Sequence, residues 1–303
     1  MREITLYEML PEYVSGSAEN YLNLNEKISK DSLILEEIRR DYAKDEARYK
    51  EEYTSAYKNF LINEYLAGWS FLHMCDGKAI TSEAFSYGNN PKDELKRSGW
   101  MFPPELMNKR ISTIRNITAD ELYAEHLDEY FDIYFGFAVG EEDSRIDRYY
   151  KQAVANYKNG WYYASSVSLF PIIESYHKYI NEYNENKVYK IKKNLDNVKD
   201  RVKELRKTVT CGVNYYDKLV DQFNELAENN YFNVSADINE EPAIINRNRL
   251  LHGIFSREVD KRDCLQLFCV MSNLVFIKQL INADKIMRDA VEELERLLPE
   301  ESK

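Results

Sequence analysis

The chain has 303 residues, with only 10 glycines and 7 prolines, and 31% of its residues are charged. This composition predicts long helices with few turns and argues against a sheet-rich fold. The chain has no phosphate-binding loop, dinucleotide fingerprint, Gly-x-Ser-x-Gly elbow or kinase signature, which excludes the common nucleotide-driven and hydrolase classes. No signal peptide is recognisable, and none of the four cysteines forms a Cys-x-x-Cys pair, so we expect a cytoplasmic protein with reduced thiols.

The net charge of −11 belongs to the first half of the chain. Residues 1–150 contain 29 acidic and 18 basic residues, whereas residues 151–303 contain 23 of each. An acidic surface repels nucleic acid. Any polyanionic partner is therefore expected to meet the second half of the chain.

Helical periodicity begins in the first third of the chain. Apolar residues recur at helical spacing through residues 31–72, among charges of both signs that suit a solvated helix face. Residues 76–105, which contain most of the early glycines and prolines, predict a loop that joins this region to the rest. Helical patterning resumes near Asp120 and pauses at Gly136 and Gly140.

The second half of the chain predicts further helices, at residues 143–158, 161–183, 187–210, 215–228 and 260–298. Asn159-Gly160 is a C-cap signal at the end of the first of these. Pro171 predicts a kink or a local break in the second. Pro242 suits the first turn of one more helix, which carries residues 246–253 and precedes the last helix.

No stretch shows the alternation of polar and apolar residues that is typical of a β-strand, so the sequence predicts an all-α protein. Its expected parts are an acidic N-terminal helical region at residues 1–105, a connecting helix at residues 106–142 and a helical bundle at residues 143–303. The most apolar window, residues 265–281, carries Gln266, Asn273 and Lys278 and is short for a membrane span. We expect it to be a buried helix, with no membrane as a partner.

Residues 187–210 combine an apolar stripe, whose members step by four and three positions, with a dense basic surface. Nine basic residues surround the stripe, against three acidic ones. We predict that Lys192, Lys199 and Lys203 contact the RNA backbone, because this surface lies in the neutral half of the chain. The alternative is the solvated face of a bundle helix, which is the more frequent meaning of such a pattern.

Residues 246–253, which read NRNRLLHG, contain an arginine and a histidine five positions apart. A histidine titrates near neutral pH and can move a proton between a 2′-hydroxyl and a leaving oxygen. An arginine can hold the scissile phosphate and stabilise the charge that builds on it. Arg247 and His252 are therefore a minimal pair for cutting RNA without a metal, with the 2′-hydroxyl as nucleophile.

The spacing alone is weak evidence. With 17 arginines and four histidines in the chain, about 0.7 such matches are expected by chance. The alternative for the pair is a surface arginine and a histidine that caps a helix end before Gly253. The surroundings of the motif must distinguish these two interpretations.

Residues 247–253 resemble the R-x(4–6)-H motif of the HEPN superfamily, in the common form with a polar residue, here Asn248, directly after the arginine. Residues 164–174, which read ASSVSLFPIIE, look like the upstream helix of many bacterial HEPN proteins, an apolar run that ends in a glutamate. That glutamate is Glu174, and the distance along the chain leaves room for the intervening helices of such a bundle. The resemblance covers roughly residues 143–298.

This resemblance implies a helical bundle that forms a homodimer, with two motif helices facing each other across one composite RNA-cutting cleft. It implies a metal-independent endoribonuclease that needs no cofactor and usually leaves a 2′,3′-cyclic phosphate. RNA is then the substrate, and toxin–antitoxin, abortive-infection or antiphage systems supply an antitoxin or another defence protein as partner. Residues 1–100 lie outside the resemblance.

Carried over residue by residue, the resemblance makes Arg247 and His252 the catalytic pair. It makes Asn248 the adjacent polar residue and Glu174 the acidic support. On a regular helix, positions 247 and 252 lie about 140° apart. Arg247 must then reach around the helix or act on a phosphate shared across a dimer. If one chain forms the site alone, Arg249 competes for the arginine role, and we also predict that it contacts RNA.

A different class of function fits the same pattern. A catalytically inactive helical scaffold, or an RNA- or partner-binding subunit, would keep the fold without cutting RNA. Glu174-x-x-His177 also has the spacing of a di-metal carboxylate site, but such sites need a second copy and further glutamates. Because no second Glu-x-x-His occurs, no metal is expected.

Overall fold

The computed structural model of the chain describes residues 18–81, 98–101, 103, 120–137, 139, 144–195, 213–233 and 244–297. This part of the chain is 82% helical and contains no strand, which confirms the predicted all-α class. Its helices are α1 (Ala18–Tyr42), α2 (Glu46–Thr81), α3 (Asp120–Glu129), α4 (Phe131–Phe135), α5 (Arg145–Lys158), α6 (Tyr162–Leu195), α7 (Val213–Leu226), α8 (Arg247–Leu251) and α9 (Lys261–Arg296). A π-helical segment, Ala227–Tyr231, directly follows α7.

Helix α5 has the end that the sequence predicts. Its N-cap is Ser144, whose hydroxyl accepts a hydrogen bond from Asp147 N at 3.2 Å. Its C-cap is Asn159, and Gly160 follows with a φ of +74°, a conformation that glycine adopts without steric cost. The predicted Asn159-Gly160 stop signal is therefore confirmed.

Helix α6 continues through Pro171, so the local break predicted there does not occur. The neighbouring side chains explain why. Phe170 and Ile172 are buried on either side of the exposed proline. Their burial stabilises the helical path by several kcal/mol at about 1.5–3 kcal/mol for each large apolar side chain, which offsets the roughly 3 kcal/mol cost of an interior proline.

The loop predicted at residues 76–105 starts too early, whereas its described end, residues 98–101, is non-helical as predicted. Helix α2 extends to Thr81 and includes Gly77. Residues 98–101 are held in the core: Trp100 is fully buried with its ring edge-on to Tyr123, and the Gln266 side-chain amide donates to Ser98 O at 2.7 Å. This segment is a structural part of the fold, and its side chains pack like those of a core element.

The chain divides into two compact units. One comprises residues 1–77, 199–214 and 279–303, and the other comprises residues 78–198 and 215–278. Helix α9 contributes residues to both units because its 36 residues extend for about 54 Å. In the first unit, Gly68 allows close packing, since a Cβ there would lie 2.6 Å from the Met287 side chain.

The second unit contains an aromatic cluster centred on Phe268 of α9. Phe268 is fully buried, and four rings from α4 and α5 surround it at centroid distances of 5.0 to 5.9 Å. These rings belong to Phe131, Phe135, Tyr150 and Tyr157. Edge-to-face aromatic pairs add about 0.5–1.5 kcal/mol each beyond the area that they bury. The cluster therefore fastens α4 and α5 to the central helix.

Within the described residues, one helix is apolar and long enough to cross a membrane by length and composition, at residues 261–294. In its most apolar window, 78% is buried inside the protein. This burial is what the core helix of a folded domain shows.

Replacing Phe268 by alanine should lower the free energy of unfolding by about 3–5 kcal/mol, because it leaves a cavity among four rings. Urea unfolding followed by circular dichroism would measure the change. Tyr163→Ala is the matched control, since Tyr163 is 55% exposed and its truncation should cost less than about 1 kcal/mol. If both variants lost the same free energy of unfolding, the central position of Phe268 in the core would be contradicted.

Candidate active site

The candidate site is built on α8, a helix of little more than one turn that begins at Arg247. Its N-cap is Asn246, whose Oδ1 accepts a hydrogen bond from Arg249 N at 3.0 Å. The same side chain is buried and donates through Nδ2 to Asn230 O at 2.5 Å and to Asn233 O at 3.1 Å. One amide therefore both starts α8 and fastens it to the chain that follows α7.

This start differs from the helix predicted from Pro242, because residues 244–246 are not helical. Pro242 itself lies outside the described residues. Asparagine is among the most favoured N-cap residues, so Asn246 was the better signal in the sequence for the beginning of the motif helix.

The other end of α8 is closed by a Schellman motif. Gly253 has a φ of +70°, and its N–H donates to Leu250 O at 3.3 Å. The next N–H, from Ile254, donates to Arg249 O at 3.0 Å. These are the two backbone bonds of that helix ending, which favours a glycine in the left-handed region. The end of the helix therefore explains Gly253 without any chemistry at the histidine beside it.

Arg247 forms an ion pair with Glu174 of α6, 73 positions earlier in the chain. Arg247 Nε lies 2.7 Å from Glu174 Oε1, although its N–H is not aligned as a hydrogen bond. Arg247 Nη2 donates to Glu174 Oε2 at 3.2 Å. The structure thus brings together Arg247 and Glu174, two residues that the resemblance placed in one site.

Asn248 extends this contact to the segment after α7. Its Oδ1 accepts a hydrogen bond from Arg247 Nη1 at 3.1 Å, and its Nδ2 donates to Phe232 O at 3.2 Å. The guanidinium group is therefore held between a carboxylate and an amide. Each Nη carries two N–H groups, so one donor on each Nη remains for a further acceptor.

Arg247, Asn248 and Glu174 line an open groove with a volume of about 550 Å³. The other residues that line it are His177, Lys178, Asn181, Glu182 and Phe232. Two cationic and two anionic side chains thus share the groove, and their formal charges balance. A groove of this volume is within the usual range for a ligand site, roughly 300–1,000 Å³.

His177 is a groove residue to which the sequence interpretation gave no part in RNA chemistry. Its ring lies nearly parallel to that of Phe232, at 5.9 Å between centroids and an angle of 6°, and edge-on to that of Phe223. Burial lowers the pKa of His177, while the carboxylates of Glu228 and Glu174 act in the opposite direction. The available signal was its position one helical turn after Glu174, which places both on one face of α6.

His252 is the C-cap of α8 and is exposed to solvent, outside the set of residues that line the groove. Its backbone N–H still donates to Asn248 O at 3.0 Å, so its Cα follows the helical path. The flanking side chains of Leu251 and Ile254 are 45% and 48% exposed. The histidine is therefore accessible, as the catalytic interpretation requires, but the groove of its own chain does not include it.

The sequence predicted that Arg249 contacts RNA, but the structure buries this residue. Arg249 is only 6% exposed, so its guanidinium group is not presented to a polyanion, and it cannot replace Arg247 at the groove. Lys192 belongs to α6, of which only the backbone is described at that point, and Lys199 and Lys203 lie outside the described residues. Their RNA contacts stay predictions.

A second groove, of about 570 Å³, lies between α3, α5 and the start of α9. Four of its charged groups are already paired. Asp128 accepts from Tyr157 at 2.5 Å and from Lys261 at 2.6 Å. Lys158 and Asp132 form another pair at 2.6 Å. These contacts hold neighbouring helices together, so we regard this groove as structural. In the described part of the chain, no cluster of three His, Cys, Asp or Glu side chains is placed to hold a metal ion.

Comparison with known proteins gives no family assignment. No family model matches the chain, and no curated protein or solved structure matches it either. The HEPN resemblance therefore depends on the sequence motifs alone.

The stability of the protein should fall as the pH is lowered through the range in which His177 becomes protonated. The pKa of His177 in the folded state lies below the usual histidine value of 6.5, so the unfolded chain binds the proton more readily. The stabilisation is complete above pH 6.5 and is lost as the pH falls through the lower, folded-state pKa. Urea unfolding across this range should show a shallower pH dependence for His177→Gln than for the wild type. An identical dependence in both would contradict this assignment.

Proposed function

We propose that the chain is a metal-independent endoribonuclease. Arg247 binds the scissile phosphate, and Glu174 and Asn248 hold its guanidinium group in place. His252 takes the proton from the 2′-hydroxyl and O2′ attacks phosphorus. The bond from phosphorus to the 5′-oxygen breaks as the imidazolium of His252 gives that proton to the leaving oxygen. The products are a 2′,3′-cyclic phosphate and a 5′-hydroxyl end. By the HEPN resemblance, the setting is a toxin or an antiphage defence system, in which an antitoxin or another defence protein is the partner.

The observation that carries this proposal is the contact of Arg247 with both Glu174 and Asn248 beside an open groove. A partly exposed ion pair contributes only about 0–1 kcal/mol to stability, and these side chains are 30% and 39% exposed. The contact therefore does little for the fold. It does fix the direction of the two remaining Nη donors, which is the property that a phosphate clamp needs.

The position of His252 favours a site made by two chains. Within one chain His252 lies outside the groove, whereas its imidazole is free to meet the phosphate held in a second copy. The exposed apolar side chains of Leu251 and Ile254 on either side of it suit contact with a partner. We therefore propose a homodimer in which each groove is completed by His252 of the partner subunit.

A second candidate function is a catalytically inactive subunit that binds RNA or a protein through the same groove. It is favoured by one observation: the helix ending explains both the place of His252 and the presence of Gly253. Cleavage of RNA in the absence of divalent metal distinguishes the two candidates directly.

The purified protein should cut single-stranded RNA in EDTA, and Arg247→Ala and His252→Ala should each lower the rate by at least about 100-fold. Product ends, analysed by mass spectrometry, should carry the cyclic phosphate. Arg148→Ala is the matched control, because Arg148 is an exposed arginine of α5 outside the groove. The proposal would be overturned if RNA is still cut by both the Arg247→Ala and the His252→Ala variant, or if no preparation cuts RNA.

A charge reversal separates the two possible roles of the ion pair. Glu174→Arg combined with Arg247→Glu keeps a cation opposite an anion and should leave the melting temperature close to that of the wild type. Activity should nevertheless be lost, because the carboxylate now occupies the phosphate side of the groove. Glu174→Gln leaves Arg247 in place but holds it less firmly. Its rate of RNA cleavage should fall roughly 10- to 100-fold. Full activity of the reversed pair would mean that it serves only the fold.

A further inference from the structure

The groove has an aromatic wall for which phosphate binding gives no reason. His177 and Phe232 lie with their rings nearly parallel, and both are partly exposed at the groove. Phe223, which meets the edge of this pair, is fully buried and supports it from the core. The partly exposed rings of this pair therefore offer aromatic surface at the groove, and Phe223 supports His177 from the core.

The position of Phe232 is fixed through its backbone. Its N–H donates to Ala227 O at 2.8 Å, and its carbonyl accepts from Asn248 Nδ2 at 3.2 Å. Asn248 is also the residue that holds the Arg247 guanidinium group. The aromatic wall and the proposed phosphate clamp are thus connected through one amide side chain, so that a ligand can meet both.

The charge of the groove indicates what the wall can hold. Lys178 and Arg247 are balanced by Glu174 and Glu182, and Lys178 is 79% exposed at 3.8 Å from Glu182. A groove with no net charge is a poor site for a polyanion alone. It suits a neutral planar group that stacks on the rings while an attached phosphate meets the cations at the edge. A nucleotide within a single strand has both parts, and stacking on aromatic side chains is a general mode of binding to single strands.

We propose that His177 and Phe232 form a base-stacking subsite, which positions the nucleotide whose phosphate is bound by Arg247. This inference rests on the proposed function for the role of Arg247, but it concerns binding and not the chemical step. Stacking needs no 2′-hydroxyl. The subsite should therefore hold a base of single-stranded DNA as well as a base of RNA.

Binding is tested in the His252→Ala variant, so that RNA stays intact, by fluorescence anisotropy with a labelled single-stranded RNA of mixed sequence. The reference is an abasic strand of the same length and charge. The intact strand should bind more tightly, and Phe232→Ala should weaken its binding by roughly 5- to 150-fold, the range for one stacked base, without changing the affinity of the abasic strand. Single-stranded DNA should show the same dependence on Phe232.

Two further variants separate stacking from damage to the fold. Phe232→Trp keeps a ring and the backbone contact with Asn248, so it should bind like the parent. Tyr163→Ala removes an aromatic side chain that is 55% exposed outside the groove and should change nothing. Equal binding of intact and abasic strands, equal losses in Phe232→Ala and Tyr163→Ala, or no binding of any strand would overturn the subsite. Base-dependent binding by a protein that cuts no RNA would support the subsite while refuting the ribonuclease.

Discussion

The side-chain amide of Asn246 holds the candidate site together. It is buried, caps α8 through its oxygen and donates to two carbonyls of half-buried residues after α7. The cap alone contributes about 1 kcal/mol. The start of α8, and with it the position of Arg247, therefore depends on a residue that has no part in the proposed chemistry.

The contacts that hold the arginine differ in kind from those that hold the helix. The Asn246 bonds are buried, whereas the pair of Arg247 and Glu174 is open to solvent on one side. Water and salt weaken such a pair. The bonds of Asn246 therefore fix the backbone of the site. The Arg247 guanidinium group, in contrast, can exchange the Glu174 carboxylate for an incoming phosphate.

The sequence predicted the elements that depend on local periodicity and caps. The end of α5 at Asn159-Gly160 and the long last helix are examples, because their signals lie within a few residues. The family resemblance placed Glu174 and Arg247 in one site, but their direct contact was not predicted. The sequence did not predict what tertiary burial decides. A helix continues through Pro171 because its neighbours are buried, and a glycine-containing segment around Trp100 packs in the core.

The positions of Arg249 and His177 also depend on tertiary contacts that the sequence does not predict. Arg249 looked like one more surface cation, yet the turn of a capped five-residue helix directs it into the core. His177 looked like a lone histidine on an apolar helix, yet the chain after α7 brings Phe232 against it. Neither fact follows from spacing along the chain, because each depends on a segment that lies far away in the sequence.

The two ends of α8 have a consequence for how such proteins diverge. The helix is specified by Asn246 and Gly253, and neither contact involves the side chains of Arg247 or His252. A related chain can therefore lose the proposed catalytic pair and keep the same backbone. Asn246 and Gly253 specify the helix, whereas only the proposed chemistry depends on Arg247 and His252.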